Sequence, residues 1–90
     1  MNYIIEKKIL KNLNKIKKSD SELYWKVLDK IEIFQKNENH PSLRIHKLHG
    51  EFEGYWSLSI NKSIRIIYYI EEDMAFFVNI GTHDEVYRMN

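Results

Sequence analysis

GYWSLSINKSIRIIYYIEEDMAFFVNI, residues 54–80, indicates the fold most clearly. It consists of three apolar runs, GYWSLSI, IRIIYYI and MAFFVNI, which are separated by the polar triplets NKS and EED. The runs are rich in β-branched and aromatic residues, which favour strands, and short polar segments between such runs are typical of hairpin loops. This stretch therefore predicts an antiparallel meander. Alternating apolar and polar residues over 43–47 add a short strand, so we expect three to four strands in the meander.

The residues before the meander are spaced as in helices. Residues 8–18 have apolar side chains at helical intervals, which predicts an amphipathic helix with the stripe Ile9, Leu10, Leu13 and Ile16. A second helix is expected from near Asp20 to near Asn37, because residues 19–22 fit a capping box and Pro41 disfavours helical backbone just before it. Its apolar stripe consists of Tyr24, Val27, Leu28, Ile31 and Phe34.

A further strand is predicted at residues 3–5, at the start of the chain. The element order is then one strand, a helical hairpin and the meander. This order predicts a single α+β domain over residues 1–90, with the helices packed on one face of the sheet.

The two polar triplets predict how the strands of the meander pair. If each triplet is a three-residue loop, Ser59 faces Arg65 and Arg65 faces Asn79. Because side chains alternate across a strand, one face is predicted to be the core, with Phe52, Trp56, Leu58, Ile60, Ile64, Ile66, Tyr68, Ile70, Met74, Phe76, Val78 and Ile80. The opposite face is predicted to carry Tyr55, Ser57, Ser59, Arg65, Ile67, Tyr69, Ala75, Phe77, Asn79 and Gly81, with His83 near its end.

The charge of Arg65 supports this register. A slip by one residue would turn Arg65 into the core, which is unfavourable for a guanidinium. On pattern alone, an ordinary surface arginine that lies over apolar neighbours remains an alternative to a functional one.

The composition excludes several classes of protein. A hydrophobic content of 43% in 90 residues indicates a packed domain rather than a disordered chain. The absence of cysteine excludes disulfides and thiolate metal sites. No signal peptide is recognisable and no apolar run approaches the roughly 18–20 residues needed to span a bilayer, so we expect a cytoplasmic protein without a membrane partner.

The charges are unevenly distributed although the net charge is only +1. Residues 1–18 contain six lysines and one glutamate, whereas residues 71–85 contain five acidic residues and no lysine or arginine. The basic segment could follow phosphate groups, or it could simply be a solvated helix face. The small net charge argues against nucleic-acid binding through bulk electrostatics alone.

Four segments of the chain resemble the RelE/ParE superfamily of bacterial toxins from type II toxin–antitoxin modules, in particular its YafQ-like branch. They are His46-Lys47-Leu48-His49-Gly50, Gly54-Tyr55-Trp56, Ile64-Arg65-Ile66-Ile67-Tyr68 and Gly81-Thr82-His83-Asp84-Glu85-Val86-Tyr87. No single segment is specific. Their common order and spacing in a cysteine-free chain of 90 residues form a fairly specific signal, and the resemblance covers essentially the whole chain.

The resemblance implies a metal-independent endoribonuclease without cofactors, which cleaves mRNA, usually in the ribosomal A site. In the implied chemistry a base removes the proton of a ribose 2′-OH and the alkoxide attacks the adjacent phosphate. A cation stabilises the transition state, and an acid protonates the departing 5′-oxygen. RNA is required because the 2′-OH is the nucleophile.

The resemblance predicts four catalytic residues. His83 matches the C-terminal histidine of the family, and an imidazole can act as acid or base near neutral pH. Arg65 would contact the scissile phosphate, and His46 is a second acid or base. Tyr87 would stack on or orient a base. The alternatives are a surface histidine for His83 and packing at the sheet edge for Tyr87.

The neighbouring polar positions are predicted to bind RNA: Lys47, Ser59, Lys62, Ser63 and Asn79. Two of them depart from the family pattern, because YafQ-type members often carry a histidine and an aspartate where this chain has Ser59 and Ser63. A serine can hydrogen-bond a phosphate oxygen but cannot act as a base near neutral pH. Arg65 is expected to compensate for this loss.

The resemblance also implies a partner, the cognate antitoxin, which would cover the basic face. Tyr69, Phe77 and Trp25 are apolar positions that could belong to that interface, although ordinary core packing is the alternative for each. A ParE-like toxin that binds DNA gyrase without cleaving RNA remains a second hypothesis, opposed by the Gly81-Thr82-His83 ending. An inactive relative that acts as an interaction domain is a third. The sequence leaves the oligomeric state open.

Overall fold

The computed structural model describes residues 1–87, which form a five-stranded sheet, two long helices and one short helix. The elements in chain order are β1 (Asn2–Ile5), α1 (Lys7–Ser19), α2 (Ser21–Lys36), β2 (His46–Lys47), β3 (Tyr55–Ser59), β4 (Ile64–Glu71), β5 (Met74–Thr82) and α3 (His83–Val86). The predicted α+β fold is confirmed. None of these helices is both long enough and apolar enough to cross a bilayer.

The two long helices meet at Asp20, which ends one and begins the other. Its backbone N–H donates to the carbonyl of Ile16 at 2.7 Å, and its carboxylate accepts from the N–H of Leu23 at 3.1 Å. One residue therefore caps both helices, which makes the hairpin tight. The start of α2 was predicted correctly, although Ser19 does not cap it and instead donates its hydroxyl to the carbonyl of Lys15.

The sheet has the strand order β1-β5-β4-β3-β2. The strands β2 to β5 form the predicted antiparallel meander, and β1 joins the far edge parallel to β5. The helical hairpin connects β1 to the rest, as a parallel pairing requires a long crossover. The predicted strand at residues 43–47 is reduced to β2, because Pro41–Leu43 form a 3-10 turn and Arg44 has a left-handed φ of 46°.

The helices pack on one face of the sheet, as predicted, and the main core lies between them. Its buried side chains are Ile9, Leu13, Val27, Ile31, Phe34, Leu43, Leu58, Ile60, Ile66, Tyr68, Ala75, Phe77 and Ile80. Because these come from both helices and from the three central strands, the core holds the whole sheet in position.

The pairing of β3 with β4 was predicted correctly, but that of β4 with β5 was wrong. Ser59 pairs with Arg65, as expected. The second loop is a two-residue turn in which Glu72 and Asp73 have φ of 50° and 64°. Both values are those of a type I′ turn, whose twist matches the flanking strands. The turn alone would move the partner of Arg65 from Asn79 to Ile80, and a bulge in β5 moves it one residue further, to Gly81.

An irregularity in β5 shifts the pairing once more. Ile67 pairs with Asn79 but Tyr68 pairs with Phe77, which leaves Val78 as an extra residue of a β-bulge. Each one-residue shift moves side chains to the opposite face. Ala75 and Phe77 therefore lie in the main core, and the prediction that they face away from the helices was wrong.

The same shifts correct several other predictions. Some positions expected in the main core do not belong to it: Phe52, Ile70, Met74, Phe76 and Val78. Phe77 is fully buried, so the proposal that it contributes to an exposed interface was also wrong. Trp25 is 64% exposed and remains available at the surface.

Candidate functional site

The strand register arranges polar residues in two rows across the face that the helices leave uncovered. Residues that pair directly on neighbouring strands point to the same face. One row runs from His46 through Ser57 and Ile67 to Asn79, and the next row contains Ser59, Arg65 and Gly81. Arg65 thus lies in the middle strand of its row.

An open groove of about 910 Å³ adjoins these rows. Its lining residues are Lys26, Lys30, Ser42, Arg44, His46, Ser57, Ser59, Ile60, Asn61, Lys62, Ser63 and Arg65. Five of them are lysine or arginine, and no described residue of the lining is acidic. The whole chain has 14 basic and 13 acidic residues. The positive character of the groove therefore arises from the fold, which segregates the charges, and not from composition.

Arg65 is the half-buried cation of this groove. Its Nε is enclosed and has no hydrogen-bond partner among residues 1–87. Leaving a buried donor unpaired costs about 1–3 kcal/mol. A guanidinium presents several donors in a rigid fork that matches the oxygens of a phosphate. The Arg65 side chain therefore brings a positive charge to the groove.

His46 is an exposed histidine that lines the groove. Its Nδ1 lies 3.2 Å from the carbonyl oxygen of Arg44. In the tautomer that donates this hydrogen bond, Nδ1 carries the proton and Nε2 keeps its lone pair. Such an imidazole can accept a proton from a bound ligand.

The loop between β3 and β4 is held by its own side chains at the rim of the groove. Asn61 accepts hydrogen bonds from the backbone N–H groups of Ser63 and Ile64 at 2.8 and 2.7 Å. The hydroxyl of Ser59 donates to the carbonyl of Asn61 at 2.9 Å. These bonds fix the loop, and the exposed Lys62 and Ser63 lie at its tip.

The short helix α3 begins with a capping box. The Glu85 N–H donates to the Thr82 hydroxyl, and the Glu85 carboxylate accepts from the Thr82 N–H at 2.9 Å. Hydrogen bonds from the backbone and the side chain of Thr82 hold the pKa of Glu85 below its usual value. A Cβ on Gly81 would lie 3.1 Å from Cβ of Glu85, which is a tight contact between β5 and α3.

The other two predicted catalytic residues lie at the two ends of α3, with His83 as its first residue and Tyr87 directly after its last. The rings of His83 and Tyr87 are 4.4 Å apart, and Tyr87 also contacts Phe52 at 5.2 Å. Val86 packs with Leu48 and Ile67 in a second, smaller core on this face. Thr82 pairs with Ile64, which is the residue before Arg65. His83 is the next residue after Thr82 in the chain.

The structure brings some predicted site residues together and separates others. Arg65, His46, Ser59, Lys62 and Ser63 line the groove, whereas His83 in α3 and Tyr87 directly after α3 lie outside its lining.

Two of the predicted RNA-binding residues have other contacts. The ammonium of Lys47 lies 5.5 Å from the ring centroid of Trp56, which packs against the main core. Asn79 is 6% exposed and accepts from the N–H of Ile80. Roles in RNA binding for Lys47 and Asn79 stay predictions.

Sequence reasoning missed seven of the twelve residues that line the groove: Lys26, Lys30, Ser42, Arg44, Ser57, Ile60 and Asn61. The spacing of Lys26 and Lys30 places both on one side of α2, which is a signal visible in the sequence. It does not say what that side faces. The helix α3 was also missed, although Thr82-His83-Asp84-Glu85 fits the capping-box pattern.

No group of three or more His, Asp or Glu side chains within residues 1–87 is arranged so that it could hold a metal ion. The described part of the site therefore consists of cations, hydroxyls and imidazoles.

The helical hairpin packed on one face of this five-stranded sheet is the RelE/ParE-like fold. The family model described as the bacterial toxin of type II toxin-antitoxin system, YafQ, matches residues 1–88, and the chain belongs to that family. The predicted family is thus confirmed, and the protein is a toxin of a toxin–antitoxin system. No curated protein sequence matches the chain.

Solved structures show the same fold at low sequence identity. YafQ from E. coli has a TM-score of 0.78 at 15% identity, over 96% of this chain and 97% of that one. The YoeB/ParE toxin from Agrobacterium tumefaciens has a TM-score of 0.76 at 17% identity, over 92% and 99%. The YoeB-YefM complex from Staphylococcus aureus has a TM-score of 0.74 at 15% identity, over 92% and 97%.

Proposed function

We propose that this toxin is a ribosome-associated mRNA endoribonuclease, which cleaves by metal-independent attack of a ribose 2′-OH on the adjacent phosphate. The groove carries this proposal, because it contains five lysine or arginine residues, an imidazole and no described acidic residue. An RNA backbone is a line of phosphate charges, and such a groove attracts it without attracting cations. The resemblance to mRNA-cleaving toxins supports the same conclusion.

Arg65 has the role of the phosphate-binding cation in this proposal. Its guanidinium lines the groove, and its terminal N–H groups would donate to a phosphate oxygen. A charge-assisted hydrogen bond of this kind is about twice as strong as a neutral one. The attacked phosphate gains charge in the transition state, so a cation held in place beforehand lowers the barrier.

The two histidines have the roles of base and acid. His46, which can keep its Nε2 lone pair free while Nδ1 donates to Arg44, takes the proton from the 2′-OH. The 2′-oxygen then bonds to phosphorus as the bond to the 5′-oxygen breaks. His83 gives a proton to that oxygen, so the products are a 2′,3′-cyclic phosphate and a 5′-hydroxyl.

The remaining site residues would hold the substrate. Tyr87 steadies the ring of His83 and offers its own face to a base. Ser59, Lys62 and Ser63 would contact phosphate or sugar oxygens at the loop rim.

The proposed partners are mRNA on translating ribosomes and a cognate antitoxin. Action on translated mRNA would place the toxin in the cytoplasm. The structures with this fold include the E. coli DinJ-YafQ complex and the YoeB-YefM complex of S. aureus. Trp25 and Leu10 are 64% and 48% exposed on the helical layer, and burial of such side chains by an antitoxin would be favourable.

Cleavage of mRNA by the purified protein with added ribosomes tests the proposal. We expect cleavage with 2′,3′-cyclic phosphate ends, which report attack by the 2′-OH. His46→Ala and His83→Ala should each slow it by about 10²–10⁴-fold, the usual effect of a general acid or base. His49→Ala is the matched control, because His49 is an exposed histidine that does not line the groove.

Two outcomes would contradict the proposal. If the wild-type protein leaves mRNA intact but inhibits supercoiling by DNA gyrase, the ParE-like hypothesis is correct instead. If both histidine variants cleave at the rate of the control, the assigned acid and base are wrong.

A further inference from the structure

Two lysines of α2 line the groove although α2 belongs to the helical layer on the other face of the sheet. Lys26 and Lys30 are four residues apart and therefore project from the same side of the helix. Both share the groove lining with Ser59 and Arg65. The groove thus connects the helical layer with the polar sheet face.

The free edge of β3 explains this connection. β2 pairs only with Trp56 and Ser57, so in residues 1–87 no strand covers the part of β3 that follows Ser57. The groove runs around this open edge, with the α2 lysines on one side and Arg65 on the other. An RNA strand that enters it would meet positive charge on both sides.

The two lysines are available to an anion. Lys30 is half-buried, and its ammonium donates to the carbonyl of Ser42 at 3.2 Å, which positions it against the groove wall. Lys26 is exposed. Neither forms an ion pair within 4.0 Å with any carboxylate of the described residues. Their charges are therefore not neutralised inside the protein.

We propose that Lys26 and Lys30 form a second phosphate-binding site, which holds single-stranded RNA at a phosphate other than the scissile one. The strand would bend around the free edge of β3 between this site and Arg65. Lysine ammonium groups bind phosphates as point charges and do not read bases, so the site supplies affinity and positioning without sequence preference. The inference rests on the proposed ribonuclease function and extends it.

The salt dependence of RNA binding tests this site. The ligand is a single-stranded oligoribonucleotide that carries a 2′-deoxy sugar at the cleavage position, so that it binds without being cut. Each phosphate contact to a single strand contributes about 0.7 to the slope of log affinity against log salt. K26Q/K30Q removes this one phosphate contact and should therefore lower the slope by about 0.7, and Lys26→Gln alone should lower it by part of that amount.

K11Q/K15Q is the matched control, because these lysines have the same spacing on α1 and do not line the groove. The control should keep the wild-type slope. In ribosome-dependent cleavage, K26Q/K30Q should raise KM and leave kcat unchanged, as expected for a residue that binds substrate and transition state equally.

The outcomes separate this inference from the proposed function. If the slope falls for Arg65→Met but not for K26Q/K30Q or Lys26→Gln, the groove binds RNA and the second site is wrong. If neither Arg65→Met nor the lysine variants change the slope, both proposals are wrong. A fall in kcat at unchanged KM would also overturn the inference, because it would place the lysines in the chemical step.

Discussion

Replacement of Arg65 by methionine is expected to change stability and activity in opposite directions. Arg65 is half-buried, its Nε has no partner among residues 1–87, and no described carboxylate lies within 4.0 Å of it. Methionine keeps a long flexible stem for packing against the sheet and removes the unpaired donor. The folded protein should gain from this change, whereas the proposed phosphate contact is lost.

The size of the change in stability follows from the surroundings of the guanidinium in the free protein, and the size of the change in cleavage rate follows from its proposed contact with the transition state. An unpaired buried donor costs about 1–3 kcal/mol, and we take the low end because Arg65 is only half-buried. A gain of about 1 kcal/mol, with a urea slope of about 1–2 kcal/mol/M, raises the midpoint of unfolding by roughly 0.5–1 M. Loss of one preorganised donor to the transition state slows catalysis by about 10²–10³-fold.

Urea denaturation and ribosome-dependent cleavage of mRNA measure the two effects on the same preparation. Arg65→Lys serves as the control, because it retains the positive charge and loses the planar fork. We expect an intermediate cleavage rate for this variant. The difference in cleavage rate between Arg65→Lys and the wild type then measures what the planar geometry of the guanidinium contributes beyond its charge.

Two results would refute the reasoning about Arg65. An Arg65→Met protein that unfolds at a lower urea concentration than wild type would show that the guanidinium stabilises the fold. A variant that cleaves mRNA at the wild-type rate would show that the side chain does not bind the scissile phosphate.

Two further predictions concern the contact between β5 and α3. Gly81→Ala should destabilise the protein by about 1–3 kcal/mol, because the added methyl group overpacks against Glu85; an unchanged urea midpoint would mean that α3 does not pack on β5. Because the pKa of Glu85 is lowered by hydrogen bonds from Thr82, its carboxylate stabilises the fold above the pKa of the unfolded chain, and this contribution is lost as pH falls through the folded value. Glu85→Gln should lower the melting temperature at neutral pH by a few degrees, about the effect of one charge at a helix N-terminus, and the difference should vanish in acid; a pH-independent difference would contradict this assignment.

The fold was predictable from local patterns where those patterns were strong. The helical spacing of apolar residues predicted α1 and α2, and Asp20 was correctly placed at the start of α2. The pairing of Ser59 with Arg65 followed from the polar triplet between the strands. In each case the signal depends on residues that are near one another in the chain.

The second half of the meander was not predictable in this way. Glu72 and Asp73 adopt left-handed backbone without the Asn-Gly or Asp-Gly pair that usually announces such a turn. The bulge at Val78 has no sequence signal in this chain, because residues 74–80 are apolar or uncharged throughout and suit either face. The faces of Ala75 and Phe77 were therefore decided by tertiary packing.

The residues of the candidate site also divide into those that the sequence could place and those that it could not. Arg65 could be placed on the polar face from sequence, since charged side chains are excluded from the core. Lys26 and Lys30 could not be placed beside it, because the contact depends on how α2 lies relative to the open edge of β3.

By itself, the sequence determined the order of the elements, the apolar stripes of the two helices and the polar face around Arg65. These properties depend on side-chain periodicity along one segment. Only the tertiary structure decided the bulge in β5, the parallel addition of β1 and the groove that joins α2 to the sheet. These depend on contacts between residues far apart in the chain, where packing of the whole core selects one register among several that local sequence allows.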